Sequence, residues 1–265
     1  MKTITELRQE IVDRSLQAFH EGLFSGTSGN MSCYLREEDL MLITPTSVRY
    51  DVMRAEDIVA LRLDGTVVEG HLKPSSEWRM HAAVYEGCPD VNAVFHTHSP
   101  YATAFAVNHQ TIPAVLIEAL VFLGGDIRCA DYATPGTKEV GLNAVPALEG
   151  RRGCTLANHG VLAVGGDLAQ AYLNAEYIED VARIYAIAHS VGTPVELNPL
   201  SRYFAPQPFR LERLSRQSVG GERDPALLLF WGSAAQTQLR GAALELRPLI
   251  SLYCRDCLLR REIAG

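Results

Sequence analysis

Asn92–Val107, NAVFHTHSPYATAFAV, sets His96 and His98 two residues apart in an apolar, β-branched run. Ala93–Thr97 has the composition of a strand, and Ser99-Pro100 opens a helix, with proline where an N–H would be unpaired anyway. Side chains two apart on a strand point to one face, so the two imidazoles share one side of a sheet. Such a pair can bind a metal, share a polar pocket or sit at a wet sheet edge. The spacing alone does not choose among these.

Upstream of this segment, Ile4, Leu7, Ile11, Leu16 and Phe19 recur at helical spacing and predict a helix over residues 4–21. GLFSGTSGN breaks it, and short strands are expected at Met31–Leu35 and Leu40–Ile43, with a hairpin around RLDGTVVEG. In KPSSEWRMHAAVYEG, Ser75 or Ser76 is expected to cap a helix carrying Glu77 in its first turn. Downstream, a helix should follow DYATPGTKE, and CTLANHGVLAV reads as two strands joined by a tight Asn-His-Gly turn. Asp167-x-x-Gln170 resembles a capping box. The long helix behind it buries Leu168, Ala171, Tyr172, Ala175, Ile178, Ala182 and Tyr185. Strands and helices mixed without a strict βα repeat predict a layered α/β domain over residues 1–195. Residues 196–265 are rich in proline and arginine and read as an atypical tail.

The composition of the 265 residues is globular, and the net charge of -7 offers no general attraction for nucleic acid or an anionic membrane. The N-terminus lacks the apolar core of a signal peptide, and the apolar runs are interrupted, Glu118 breaking AVLIEALVFLGG. A cytoplasmic protein is expected. The six cysteines do not suggest a disulfide framework. Cys254-x-x-Cys257 lacks a second pair, so two incidental thiols are the preferred reading there.

Two further features carry chemistry. His159 in its tight turn and Glu77 at a helix start would complete, with His96 and His98, the donor set of a catalytic zinc: three neutral nitrogens and a displaceable carboxylate. Equally, Glu77 can serve the helix dipole alone and His159 the turn alone. Three segments of small residues are able to hold an anion. GTSGN offers Thr27, Ser28 and Asn30 beside Gly26 and Gly29; TPTS offers Thr46 and Ser47; PSSE offers Ser75 and Ser76 at a helix N-terminus. A nucleotide is not indicated, because neither a Walker A nor a G-x-G-x-x-G pattern occurs.

Taken in order, GTSGNMS, LITPTSVRYD, KPSSEWRMH, DVNAVFHTHSPYATAFAV, IPAV, DYATPGT and ANHGVLAVGGDLAQAYLNAEYIEDVARIY resemble the class II aldolase/adducin family over about residues 4–190. The resemblance implies a three-layer α/β/α sandwich around a central, mainly antiparallel sheet. It implies one zinc (Zn2+) per subunit on His96, His98, His159 and Glu77, with Glu77 acting as general base once substrate displaces it. It implies Tyr132 as proton donor, and a sugar phosphate held by Thr27, Gly29, Asn30, Thr46, Ser47, Ser75 and Ser76. The activity implied is reversible cleavage of a ketose 1-phosphate, L-fuculose 1-phosphate or a related deoxypentulose 1-phosphate, to dihydroxyacetone phosphate and an aldehyde through a metal-stabilised enediolate. A homotetramer with active sites at subunit interfaces is the implied assembly.

The chain departs from the family pattern at three places. Ser47 stands where the loop often has glycine. Glu118 and its apolar neighbours replace a different pattern, making Glu118 a candidate second acid/base group or a structural carboxylate. Beyond about residue 200 no family motif recurs; Tyr203 and Tyr253 sit in no matching motif, so neither is assigned the role of a tail tyrosine. A pentulose-phosphate 4-epimerase or methylthioribulose-phosphate dehydratase would use the same zinc and phosphate parts. A non-enzymatic adducin-like module is disfavoured because all four ligand candidates are present.

Overall fold

A capping box starts the first helix: Glu6 N–H donates to the Thr3 hydroxyl at 3.3 Å while Thr3 N–H donates to the Glu6 carboxylate at 2.7 Å. This helix, α1, spans Ile4–His20. The structure, a computed structural model, describes residues 2–198. Strands β1 (Asn30–Leu35) and β2 (Leu40–Ile43) follow, then β3 (Val59–Leu61) and β4 (Val67–Glu69), both pairs antiparallel as their spacing predicts. Next come α2 (Trp78–Gly87), β5 (Ala93–Thr97) and α3 (Pro100–Val107). Two elements too short to show a period, α4 (Ile117–Val121) and β6 (Arg128–Ala130), were not foreseen. The described chain continues through α5 (Lys138–Ala147), β7 (Gly153–Leu156), β8 (Gly160–Gly165) and α6 (Leu168–Val191).

The sheet runs in the order β4-β3-β2-β1-β5-β8-β7-β6, with the histidine strand β5 near its middle. Its pairs are antiparallel except β6 with β7, which are parallel. Every residue of β5 is buried, because both faces of the strand are covered. Ala93 and Phe95 meet the core beneath α1, α3, α4 and α6, whereas Val94 meets the one beneath α2 and α5. These are the three layers expected, α/β/α. Helix α6 buries Leu168, Ala171, Tyr172, Ala175, Ile178 and Ala182, with Tyr185 partly covered. Its cap is half a box: Asp167 accepts from Gln170 N–H at 2.8 Å, but Gln170 reaches Gly166 N–H instead of its own cap residue.

The packing runs slightly past the expected boundary at residue 195. Leu197 N–H donates to Ala114 C=O at 2.8 Å and its side chain rests on the α6 core. Tyr203, Tyr253, Cys254 and Cys257 lie outside the described residues. Among the described residues, no helix is long and apolar enough to cross a membrane.

Candidate metal centre

Strand pairing brings the distant histidines together. His96 lies on β5 with its ring on the α2–α5 face, and His98 follows the strand end. β5 pairs with β8 in a register that sets Thr97 opposite Val161, so the loop before β8 lands beside His98. That loop is Ala157-Asn158-His159, the tight turn read from the sequence, with His159 N–H donating to Leu156 C=O at 3.0 Å. Asn158 takes a left-handed φ of 52°, which asparagine tolerates, and bonds His109 at 2.5 Å through its side chain. Gly160 is required next. A Cβ there would lie 2.5 Å from Thr97 O and 2.9 Å from the His98 ring.

The result is a cluster in which one nitrogen each of His96, His98 and His159 lie within 4.8 Å of one another. Glu77 closes it: Oε2 is 3.1 Å from His96 Nε2 and Oε1 3.0 Å from His159 Nε2. The expected helix start needs correction here. Helix α2 begins at Trp78, and Glu77 itself stands at the cap position, its N–H donating to Ser75 Oγ at 3.3 Å. The Glu77 carboxylate makes no bond to the helix end but turns towards the imidazoles.

This donor set fits a cation. His96 Nδ1–H donates to Val161 C=O at 2.8 Å, which leaves the Nε2 lone pair facing His98 Nε2 at 3.0 Å and the Glu77 carboxylate. Lone pairs converging in a buried place repel unless a proton or a metal ion lies among them. Burial alone would depress His96, but the charge and hydrogen bonding of Glu77 outweigh it and raise the ring above its usual value. Burial likewise opposes ionisation of Glu77, yet His96 and His159 hold it well below the ordinary carboxylate range. His98 is lowered to about 4, first by burial and then by its two histidine neighbours. Glu77 Oε1 is buried with only the His159 Nε2 contact at 3.0 Å and no hydrogen bond of good geometry, as an oxygen made for metal rather than for a protein donor would be.

Glu77, His98 and His159 of the cluster line a cleft of about 390 Å³, whose walls also include Thr27, Ser28, Gly29, Asn30, Thr46, Ser47, Ser75, Ser76, Pro135 and Gly136, with His96 buried behind them. All three segments of small polar residues therefore meet beside the candidate ligands Glu77, His98 and His159. Ser47 occupies a left-handed φ of 60°, a conformation that glycine adopts without strain. Asn30 reaches the rim, but Glu77 and His81 use both ends of its side-chain amide. Tyr132 is 57% exposed on the loop before α5, and its ring is not part of the cleft wall. Glu118 is not brought to the cleft: it sits on α4 near Tyr177 of α6, in the layer on the other side of the sheet. The sequence reading missed His81, Ser32 and Tyr85, which lie behind Glu77; the four-residue spacing of Glu77 and His81 was the available signal.

Residues 9–186 match the family model described as class II aldolase and adducin N-terminal domain. A 5-deoxy-D-ribulose 1-phosphate aldolase of Bacillus thuringiensis is 42% identical over 187 residues, 71% of this chain and 87% of the relative. The L-fuculose phosphate aldolase of Escherichia coli K12 is 38% identical over 190 residues, 72% of this chain and 87% of the relative. A solved L-fuculose 1-phosphate aldolase superposes with a TM-score of 0.72 at 39% identity, covering 75% of this chain and 93% of the other. An L-ribulose-5-phosphate 4-epimerase of Salmonella paratyphi B is 34% identical over 210 residues, 75% of this chain and 91% of its own. The chain belongs to the class II aldolase and adducin family.

Proposed function

We propose that the chain is a zinc-dependent aldolase that cleaves a ketose 1-phosphate, L-fuculose 1-phosphate or a deoxypentulose 1-phosphate, to dihydroxyacetone phosphate and an aldehyde. The observation behind this reading is the meeting of three imidazoles and one carboxylate with three hydroxyl-rich segments in one cleft. The aldolase relatives support the substrate class. His96, His98 and His159 would hold the ion, with Glu77 as a displaceable fourth ligand. Bound there, the ion supplies a Lewis acid for oxygens that become anionic as the carbon–carbon bond breaks.

The chain's own residues do the rest. Ser75, Ser76, Thr46, Ser47, Thr27 and Gly29 bind the substrate phosphate, with Asn30 at the same rim. Anchoring the phosphate fixes the reacting carbons against Glu77, so remote binding becomes orientation. Glu77 moves a proton at the carbon next to the carbonyl. Tyr132 is clear of its own cleft wall, and we assign it as proton donor through contact with a neighbouring subunit of a homotetramer. Glu118 takes a structural role on α4. Residues 1–195 form the catalytic unit, in the cytoplasm.

The test is to incubate zinc-loaded protein with L-fuculose 1-phosphate and, separately, 5-deoxyribulose 1-phosphate. Chelator-sensitive release of dihydroxyacetone phosphate is expected, the faster substrate identifying the pocket. Zinc-loaded protein that releases none, but inverts or dehydrates a pentulose phosphate, would establish the epimerase or dehydratase reading instead. Glu77→Gln should retain zinc and lose about 10²–10⁴-fold in kcat, the usual worth of a positioned acid/base group.

A further inference from the structure

Behind Glu77 runs a buried line of hydrogen bonds. Asn30 Nδ2 is 2.8 Å from Glu77 Oε2, and Asn30 Oδ1 is 2.5 Å from His81 Nε2. His81 Nδ1 is 2.6 Å from Ser32 Oγ, which is 2.6 Å from the Tyr85 hydroxyl. None of the five residues is more than 8% exposed. They come from β1 and α2, two elements on neighbouring sides of the site, with Glu77 at the junction.

One end of this line dictates the direction of every bond. An ionised carboxylate only accepts, so the Asn30 amide must turn its N–H₂ to Glu77 and its oxygen to His81. His81 Nε2 must then carry the proton, which leaves Nδ1 of the neutral ring as acceptor. Ser32 therefore donates to His81, and Tyr85 donates to Ser32. All the donors point towards Glu77, an alignment in which each bond polarises the next. Tyr85 is 1% exposed, so the line ends inside the protein and supplies no proton from bulk water.

We propose that His81 is a positioning residue for the reaction. By holding the Asn30 oxygen, it keeps the Asn30 N–H₂ on Glu77 Oε2 and so fixes the carboxylate orientation that proton transfer needs. This inference rests on the aldolase reading for the reaction it serves. Without the His81 donor, the amide is free to rotate and present its oxygen to the carboxylate, which repels it. The phosphate contacts assigned to Ser75, Ser76, Thr46, Ser47, Thr27 and Gly29 are untouched by that rotation, so the loss falls mainly on kcat, with KM changing only by what the Asn30 amide itself contributes.

The experiment compares His81→Leu, which fills space without a donor, with His81→Gln, whose amide N–H reaches the place of Nε2. His81→Leu is expected to lower kcat about 10–100-fold, the usual effect of removing an outer partner of a metal-site group, with zinc content and KM little changed. His81→Gln should recover most of that loss. Tyr85→Phe, at the far end, should cost least and serves if His81→Leu does not fold. Equal kcat in His81→Leu and wild type, or equal losses in the Leu and Gln variants, would overturn the proposal. A readout independent of turnover is the tautomer of His81 in ¹⁵N-histidine-labelled wild type. A neutral Nε2–H ring supports the line of bonds, and an Nδ1–H or charged ring overturns it. Wild type without aldolase activity but with the Nε2–H tautomer would sink the reaction assignment and leave the positioning line standing.

Discussion

At the scale of single residues, the site depends on one hydrogen atom at position 160. The Cβ of an alanine there would meet Thr97 O at 2.5 Å, His98 Cδ2 at 2.9 Å and His96 Cε1 at 3.2 Å. The first contact is with backbone and cannot yield cheaply, so the turn carrying His159 would be pushed away from the two other rings. Gly160→Ala is expected to weaken zinc binding at least tenfold while leaving most of the fold intact, read by metal titration beside a circular dichroism melt. Retained wild-type affinity would show that the ligand geometry has more slack than these distances allow. Of the candidate ligands, His96 and His98 were legible as a same-face pair. Glu77 was visible as a helix-start carboxylate, but its turn away from the helix was not, because that depends on what faces it.

Among the elements, α3 matters most, since it follows directly from His98. Its first turn has free N–H groups, and Glu179 of α6 fills them: the two carboxylate oxygens accept from Tyr101 N–H and Ala102 N–H, each at 2.9 Å. A charged acceptor at a helix N-terminus is favoured by hydrogen bonding and by the helix dipole together. Glu179→Ala should destabilise the protein by about 1–2 kcal/mol, the usual worth of such a cap, and Glu179→Gln by less. Urea denaturation measures both. The sequence showed α3 beginning at Ser99-Pro100 but not that its cap comes from a residue 78 positions away from Tyr101. Short elements were the least legible: α4 and β6 offer too few residues for a period, and β6 exists as a strand because β7 pairs with it.

For the described fold as a whole, one pH-sensitive contact lies where the end of α1 meets α6, away from the histidine cluster. Burial, then the charge of Glu21 and a hydrogen bond with it, raises Glu176 from the ordinary 4.5 to about 7. Tyr172 donates to the same Glu21 carboxylate. Glu21 moves the opposite way: burial works against its charge, but hydrogen bonds from Tyr172, Gln17 and Glu176 outweigh that and lower it. Between pH 4.5 and about 7 the folded protein therefore keeps a proton on Glu176 that the unfolded chain has released, and stability falls as pH rises through that window. The Glu21 contribution acts below it. Glu176 is partly exposed, so solvent screening reduces the size of the effect. Glu176→Gln keeps a donor for Glu21 at every pH. Its melting temperature should exceed that of wild type at pH 8 and match it at pH 5; a difference independent of pH would discard the shared-proton account.

The sequence by itself determined the helices long enough to show their period, the strands flanked by turn residues, the three segments of small polar residues and the chemical identity of every metal-ligand candidate. These are local properties, written in spacing and residue type within a few positions. The tertiary structure alone decided that His159 stands beside His98, since that follows from the β5–β8 register, and that Glu77 faces imidazoles instead of its own helix. It alone parted Glu118 from the cleft and tied His81 to Glu77 through Asn30. Contacts between β1, α2, β5 and β8 join residues dozens of positions apart, and no local pattern encodes which buried polar groups will meet once those elements pack.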